Sequence, residues 1–230
     1  MKLDKVTEKR DRWYDDACGT AHALELIGER WALLIVRELM LGGRRFGEIR
    51  ASLPGISANV LTVRLAGLEQ AGIVRRRALP PPASAQIYEL TDWGYEAETS
   101  IQELGRWAAR SPAHDATLSF SAVSLMLSLR TMHSPERVQK MNAHIGFRLG
   151  NDRFVGHLTS AGFAVERGDP EKACKKTDVI FTSTPPMMAA AIYGGVPLNT
   201  LEADGQLTIE GNRALAERFV TLFPLPTKAF

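Results

Sequence analysis

Apolar side chains in the first part of the chain recur at the spacing of an amphipathic helix. One long helix is predicted over residues 20–41, because its apolar positions lie three or four residues apart and Gly42-Gly43 follows them. These positions are Leu24, Ile27, Trp31, Leu34, Ile35 and Leu39. The first predicted element is therefore a helix with an apolar face.

Residues 44–77 carry the pattern of a helix-turn-helix. A short helix is predicted over 46–53, and a Pro54-Gly55 break ends it. Ser57 then opens a second helix that runs to Gly72, with Leu61, Leu65 and Leu68 as its inward stripe.

Two strands and a helix are predicted after this motif. Residues 73–77 and 86–90 have strand character, and the loop between them contains three consecutive prolines, which cannot be helical. This strand-loop-strand is typical of the wing of a winged helix. Thr91 or Asp92 caps a further helix with Tyr95, Ile101, Leu104 and Trp107 on its apolar side.

The pattern restarts near residue 112, which predicts two domains, 1–112 and 113–230. In the second, Gly150-Asn151-Asp152 indicates a hairpin between strands 144–149 and 153–158. The other predicted strands are 163–166, 178–182 and 206–210, and the helices are 118–132, 185–193, 198–203 and 212–223. The predicted fold class is α+β: an N-terminal winged helix-turn-helix domain plus a small C-terminal α+β domain with an antiparallel sheet.

One uncharged run, 179–201, is long enough to span a bilayer. Pro185-Pro186, Gly194-Gly195 and Pro197 interrupt it, which favours strand, helix, turn and helix inside a folded domain. The first sixteen residues lack the apolar centre of a signal peptide, so we expect a cytoplasmic protein with no membrane partner.

Charge changes the picture most in residues 44–77. Seven arginines and two glutamates give this segment +5, although the whole chain of 230 residues carries only +2. A helix-turn-helix with local positive charge predicts binding to an operator in double-stranded DNA. The predicted DNA-binding residues are Arg44, Arg45, Ser57, Asn59, Thr62, Val63, Arg64, Arg75, Arg76 and Arg77.

These residues divide by chemistry. Asn59, Thr62 and Val63 lie on the outward face of the second helix, where side chains reach base edges, and the arginines suit backbone phosphates. Arg64 borders the inward stripe, so it either contacts phosphate or pairs with Glu69 or Glu48. A helix-turn-helix in a protein-docking module remains the alternative interpretation.

Methionines and aromatic residues are concentrated in the second half. Thioethers and aromatic rings suit an adaptable apolar cavity, and an ordinary core has the same composition. Both interpretations stay open. The predicted ligand-binding residues are Met126, Phe147, Phe154, Phe163, Phe181, Met187, Met188, Tyr193 and Phe219.

No constellation typical of an enzyme is visible. His114, His133, His144 and His157 have no metal-ligand spacing, and no phosphate loop or dinucleotide fingerprint occurs. The two cysteines, Cys18 and Cys174, are far apart and suggest neither a disulfide framework nor zinc. The sequence therefore predicts no catalytic residue, metal or cofactor.

The N-terminal half, over about residues 13–110, resembles the HxlR-type winged-helix regulators. The motifs that carry this resemblance are Leu24-Glu25-Leu26-Ile27-Gly28-Glu29-Arg30-Trp31, Arg45-Phe46-Gly47-Glu48-Ile49, Gly55-Ile56-Ser57, Gly72-Ile73-Val74 and Tyr88-Glu89-Leu90-Thr91. The resemblance implies a homodimeric bacterial transcription regulator whose dimer interface is built by 21–26 and 93–109. Two second helices would then lie about 34 Å apart on a pseudo-palindrome.

The same resemblance draws attention to Cys18. Some members of that family carry a reactive thiol at this position, usually followed by proline, whereas Gly19 follows here. His22, one helical turn away, could stabilise a thiolate. Cys18 is therefore either a redox site or a small core cysteine.

The C-terminal half, over about residues 118–224, is similar to the sterol-carrier-protein-like domains. The motifs are Arg167-Gly168-Asp169-Pro170, Thr177-Asp178-Val179-Ile180-Phe181, Tyr193-Gly194-Gly195, Ile209-Glu210-Gly211-Asn212 and Leu222-Phe223. This resemblance implies a cavity for lipids or other apolar molecules, and Pro185-Pro186 departs from the family pattern near its mouth.

The sequence thus favours a transcription regulator whose C-terminal domain senses an apolar small molecule. Three alternatives stay open: a thiol switch through Cys18 with the C-terminal domain as scaffold, an enzyme that uses the C-terminal cavity, and a lipid carrier whose winged helix docks a protein.

Overall fold

A computed structural model describes residues 14–81 and 85–230. The N-terminal half contains α1 (Gly19–Ile27), α2 (Ala32–Leu39), α3 (Phe46–Ser52), α4 (Ala58–Gln70), β1 (Val74–Ala78), β2 (Gln86–Leu90), α5 (Asp92–Glu96) and α6 (Glu98–Ala109). Of the predicted proline-rich loop, residues 82–84 lie outside the described part of the chain. The helix-turn-helix and the wing are confirmed, with β1 and β2 paired antiparallel from Val74 opposite Leu90 to Ala78 opposite Gln86.

The prediction of one long helix over 20–41 is wrong. The chain leaves the helix at Gly28, where a Cβ would lie 2.3 Å from the carbonyl oxygen of Leu24. Trp31 then has a positive φ of 80°, which ends the helical geometry before α2 begins. α2 begins after this turn as a separate helix, and its residues Ile35, Val36 and Leu39 are buried. Apolar spacing continued across the break because both helices contribute to the same core.

α4 has the N-cap and the buried leucines that the sequence predicts. Its N-cap, Ser57, accepts a hydrogen bond from the backbone N–H of Val60 at 3.2 Å. Leu61, Leu65 and Leu68 are buried, and Gly55 supplies the positive φ that the preceding turn needs. The outward face of α4 is thereby left free of the core.

The C-terminal half adds five strands, which form one sheet, and five helices. The elements are α7 (Ala122–Thr131), α8 (Pro135–Val138), β3 (Ala143–Leu149), β4 (Asp152–Thr159), β5 (Gly162–Arg167), β6 (Val179–Ser183), α9 (Pro185–Tyr193), α10 (Leu198–Ala203), β7 (Leu207–Gly211) and α11 (Arg213–Phe219). The strand order is β5-β4-β3-β6-β7. The uncharged run 179–201 forms β6, α9 and part of α10, and none of the helices in the described ranges is long and apolar enough to cross a membrane.

The sheet is mixed and not antiparallel throughout. β3 and β6 pair parallel, from Ile145 opposite Val179 to Leu149 opposite Ser183. The prediction of an antiparallel sheet is wrong at this pairing, because β4 and β5 form a meander on one side of β3 and the chain must cross over to reach the other side. The other three pairings are antiparallel.

The two halves share one buried core. α7 packs against both α2 and α6 of the N-terminal half, and apolar residues from both halves form a continuous cluster. The division into two domains at residue 112 therefore remains a prediction from the sequence. In the structure, side chains from both sides of residue 112 pack together.

Candidate nucleic-acid interface and interdomain pocket

The outward face of α4 carries the residues predicted to reach bases. Asn59, Thr62 and Val63 are exposed, and Val63 keeps 60% of its surface accessible. The Thr62 hydroxyl donates to the carbonyl of Ala58 at 2.9 Å, which leaves its oxygen lone pairs free to accept. The helix can therefore present an amide, a hydroxyl and a branched apolar group to a groove.

The wing carries three arginines on β1, with Arg75 and Arg77 on one face of the strand and Arg76 on the other. Nε of Arg75 and Nε of Arg77 each donate to the carboxylate of Glu89 at 2.8 Å. Arg76 donates to Glu69 at 2.8 Å, and its guanidinium lies 5.5 Å from the centre of the Tyr88 ring. All three side chains are about half exposed.

Glu89 was not among the predicted site residues, yet it sets the charge of the wing. Burial acts to raise the pKa of its carboxyl, but hydrogen bonds from Arg77 and Arg75 outweigh burial and the pKa is lowered. Glu89 is thus ionised beside the two arginines. The +5 counted over residues 44–77 overstates the free positive charge, because this carboxylate lies outside that segment in sequence.

Arg45 and Arg64 are placed differently from each other. Arg45 is the exposed N-cap residue of α3, and its backbone N–H donates to Glu48 at 2.8 Å. Arg64 pairs with Glu29 and donates to the carbonyl of Arg30 at 3.2 Å. The predicted alternative partners, Glu69 and Glu48, are therefore wrong for Arg64, because the turn before α2 approaches α4 more closely.

Arg44 requires a correction. The residue is only 6% exposed, so its side chain does not face a duplex. Nη1 donates to Glu38 at 3.0 Å and to the Ser52 hydroxyl at 2.9 Å, and Nη2 lies 3.7 Å from Asp152. Backbone hydrogen bonds of 2.8 Å in both directions tie Arg44 to Tyr88 of the wing. It therefore joins the helix-turn-helix, the wing and the C-terminal half.

Glu38 is the centre of this network and was missed by the sequence reasoning. It is fully buried, and it also accepts hydrogen bonds from Arg37 at 2.8 Å and from the hydroxyl of Ser121 at 2.6 Å. Its position within the apolar stripe of α2, directly before Leu39, was the available signal. Asp152 is held in addition by Arg167 of β5.

Most of the predicted ligand-binding residues pack against one another. Phe147, Phe181 and Phe219 have ring centres 5.4–5.8 Å apart, and Phe163 joins them at 6.0–6.3 Å. Met126, Phe154 and Met188 are equally buried. These side chains fill the space between sheet and helices, so the core interpretation describes them better than an open cavity. Met187, by contrast, lines a surface depression with Arg148 and Gln206.

Tyr193 belongs to a pocket that lies between the two halves. The pocket has a volume of about 140 Å³, and α2, α6, α7, α9 and the 114–120 segment enclose it. Its apolar lining comes from Ile101, Ala109, Ala116, Phe120, Leu127, Met132 and Leu225. The sequence could not reveal this site, because its walls come from both predicted domains.

Two further features concern assembly and redox chemistry. Leu24 on α1 and Leu104 and Trp107 on α6 are exposed, with 71% of Trp107 accessible. Cys18 is exposed at the N-cap of α1, where hydrogen bonds from the backbone of Thr20 and Ala21 lower the pKa of its thiol. His22 instead contacts Glu25 at 3.1 Å.

Comparisons with known proteins agree with this architecture. The family model described as HxlR-like helix-turn-helix matches residues 26–115, and the model of the SCP-2 sterol transfer family matches residues 108–224. The second match covers half of the chain.

Relatives of the first half are transcriptional regulators. The uncharacterized HTH-type transcriptional regulator YvaP of Bacillus subtilis is 40% identical over 86 residues, which are 37% of this chain and 80% of YvaP. The HTH-type transcriptional regulator YodB of the same organism is 43% identical over 86 residues, 37% of this chain and 77% of YodB. The solved reduced form of YodB is 38% identical with a TM-score of 0.39, and the match covers 44% of this chain and all of that one.

Proposed function

Since the chain belongs to the HxlR-like helix-turn-helix family of transcriptional regulators and to the SCP-2 sterol transfer family, we propose that it binds operator DNA as a homodimer and senses an apolar small molecule. The family of its first half regulates transcription and is not enzymatic. The proposal places the protein in the cytoplasm with its DNA.

The observation that carries DNA binding is the exposed outer face of α4 beside the arginines of the wing. Asn59 can donate to and accept from adenine, and Val63 can contact a thymine methyl group. Arg45, Arg75, Arg76 and Arg77 are exposed for phosphate contacts. Bases and backbone would thus be contacted by two separate sets of residues.

The exposed apolar residues on α1 and α6 support a homodimer. Leu24 and Leu104 are about half exposed and Trp107 is mostly exposed, and a two-fold axis would bury these surfaces against their copies. Two copies of α4 would then contact successive major grooves.

The test is selection from a random duplex library by the purified full chain, followed by sequencing of the bound fraction. We expect enriched pseudo-palindromes whose affinity falls with a slope of several units in a plot of log K against log salt concentration. Absence of enrichment, together with no duplex binding at low ionic strength, would refute DNA binding. Mass spectrometry of small molecules extracted from the same preparation tests the sensing half of the proposal.

A second candidate function is a thiol switch at Cys18. The observation that favours it is the exposed thiol with a lowered pKa at the start of α1, next to the proposed dimer face. Replacing Cys18 by Ser should abolish any response of DNA binding to oxidants. An unchanged response in Cys18→Ser would eliminate this candidate.

A further inference from the structure

The pocket between the halves has the size and the walls of a site for a single aromatic ring. Its volume of about 140 Å³ is close to that of cavities that accept benzene. The rings of Phe120 and Tyr193, with centres 6.4 Å apart, both line it. Ile101, Leu127 and Met132 add aliphatic and thioether surface.

A few polar groups reach the same space, and none of the lining residues is acidic. Arg37, Gln102 and Ser128 line the pocket together with the hydroxyl of Tyr193. The hydroxyls of Tyr193 and Ser128 are 2.6 Å apart. Burial raises the pKa of Tyr193 to about 12, so its hydroxyl keeps its proton at neutral pH.

The charges behind Arg37 favour an anion in the pocket. Arg37, Arg44 and Arg167 share two carboxylates, those of Glu38 and Asp152, so this connected group has a net charge of +1. Arg37 is the member of the group that lines the pocket. An incoming carboxylate would compensate the remaining charge.

We propose that this interdomain pocket binds a small aromatic carboxylate and that Arg37 recognises its carboxylate group. The proposal rests on the proposed function, which it makes specific: it names the ligand class and moves the sensing site from the aromatic core of the C-terminal half to the junction between the halves.

The junction also supplies a route to the DNA-binding surface. Arg37 donates to Glu38 through Nε and Nη2, and Glu38 is the acceptor for Arg44. Arg44 in turn holds Ser52 at the end of α3 and Tyr88 of the wing. A ligand that draws Arg37 away from Glu38 changes the restraint on both elements, and its differential affinity for the two arrangements sets the size of the response.

Benzoate is the probe, and the full chain is the protein. Isothermal titration measures its affinity, and isotope-filtered nuclear Overhauser effects locate its ring protons. We expect saturable binding of one benzoate per chain with contacts to the rings of Phe120 and Tyr193. Benzyl alcohol, which has the ring without the charge, should bind at least tenfold more weakly, and this preference should disappear in Arg37→Gln.

A matched pair of variants tests the position independently. Gly105 lines the pocket, and a Cβ there would meet no atom within 4 Å. Gly105→Leu should reduce benzoate affinity at least tenfold, whereas Gly67→Leu, at a glycine of α4 outside the pocket where a Cβ also meets no atom within 4 Å, should retain it. Sedimentation and thermal unfolding confirm that both variants keep the fold and oligomeric state of the parent.

The results separate this inference from the proposed function. Benzoate contacts to Phe163 or Phe181 in place of Phe120 and Tyr193, or no saturable benzoate binding, would overturn the pocket assignment while leaving DNA binding intact. Benzoate that binds in the pocket but leaves the affinity for the selected duplex unchanged would overturn the route through Arg37. Failure of the ligand-free protein to bind any duplex would refute the proposed function and leave the pocket standing.

Discussion

Arg44 donates from Nη1 to the carboxylate of Glu38 at 3.0 Å, in an ion pair that is almost entirely removed from solvent. The pair lies where α2, the end of α3, the wing and β4 meet. An arginine that the sequence assigns to phosphate binding thus holds the winged-helix half against the C-terminal half. Loss of this ion pair is expected to lower the stability of the protein, and the affinity for DNA is expected to fall as a consequence.

Replacing Arg44 by Met should destabilise the protein by about 3 kcal/mol, because it leaves a buried carboxylate short of a partner. Arg37 and Ser121 remain bonded to Glu38, so we expect the lower end of the range for broken buried pairs. Urea unfolding followed by circular dichroism measures the change. Arg45→Met, at the exposed neighbouring position, is the control and should change the free energy of unfolding by less than about 0.5 kcal/mol.

The double variant Glu38→Gln, Arg44→Met distinguishes a lost ion pair from lost packing. Removing both charges should restore part of the stability, since no unpaired carboxylate is then buried. If the double variant is as unstable as the sum of the single variants, the ion pair has no energetic role.

A substitution in the wing is expected to strengthen DNA binding. In Glu89→Gln, Arg75 and Arg77 lose the carboxylate that now accepts from both. The wing gains one unit of positive charge, so affinity at low salt should rise and the salt slope should steepen by about 1. Fluorescence anisotropy across a salt series measures both quantities, and a slope equal to that of the parent would show that neither arginine reaches phosphate.

Local patterns sufficed for most of the fold. The cap at Ser57, the leucine stripe of α4 and the turn at Gly150 depend on neighbours in sequence, and the structure has α4 and the β3–β4 hairpin where they indicate. The prediction of one long helix failed at Trp31. Apolar spacing indicates which residues are buried, but it does not reveal a break in the backbone between two helices that share one core. The prediction of an antiparallel sheet failed at the β3–β6 pairing for a related reason, because the direction of a strand is set by the crossover that leads to it and not by the strand's own residues.

In the candidate site, too, local patterns placed some residues correctly, and contacts between distant parts of the chain determined the others. Asn59 and Val63 could be placed because helical periodicity fixes the face they share. The burial of Arg44 could not be predicted, because one of its partners, Asp152, is more than a hundred residues away in the sequence. The aromatic residues of the second half were recognised as apolar, but composition does not distinguish a lined cavity from rings in mutual contact, such as Phe147 and Phe181 at 5.8 Å.

Residues that contact bases and residues that contact phosphates should differ in their salt dependence. Asn59→Ala should weaken binding to the selected operator by about 1–3 kcal/mol, relax specificity at one base pair and leave the salt slope unchanged. Arg76→Gln should weaken binding to all duplexes alike and lower the slope by about 1. Anisotropy with the operator and with single-base variants measures both effects, and a reversed pattern would contradict the assignment of α4 to the groove.

The apolar face of α6 should control oligomeric state. Trp107→Arg places a charge in the proposed dimer interface and should raise the dimer dissociation constant at least tenfold, as measured by sedimentation equilibrium. Leu118→Arg is the matched control, because Leu118 is similarly exposed at 66% but lies outside α1 and α6. A parent protein that is monomeric at micromolar concentration, or equal effects of the two substitutions, would contradict the proposed interface.

The thiol of Cys18 should react at a lower pH than an ordinary cysteine. Backbone hydrogen bonds from Thr20 and Ala21 stabilise the thiolate and lower the pKa, so the reactive form persists as the pH falls below the usual thiol range. Alkylation by iodoacetamide, followed by mass spectrometry across a pH series, measures the midpoint in the Cys174→Ser variant, where Cys18 is the single remaining thiol. The same variant unfolded in urea gives the reference, and a folded midpoint at or above the unfolded one would remove the physical basis for a thiol switch.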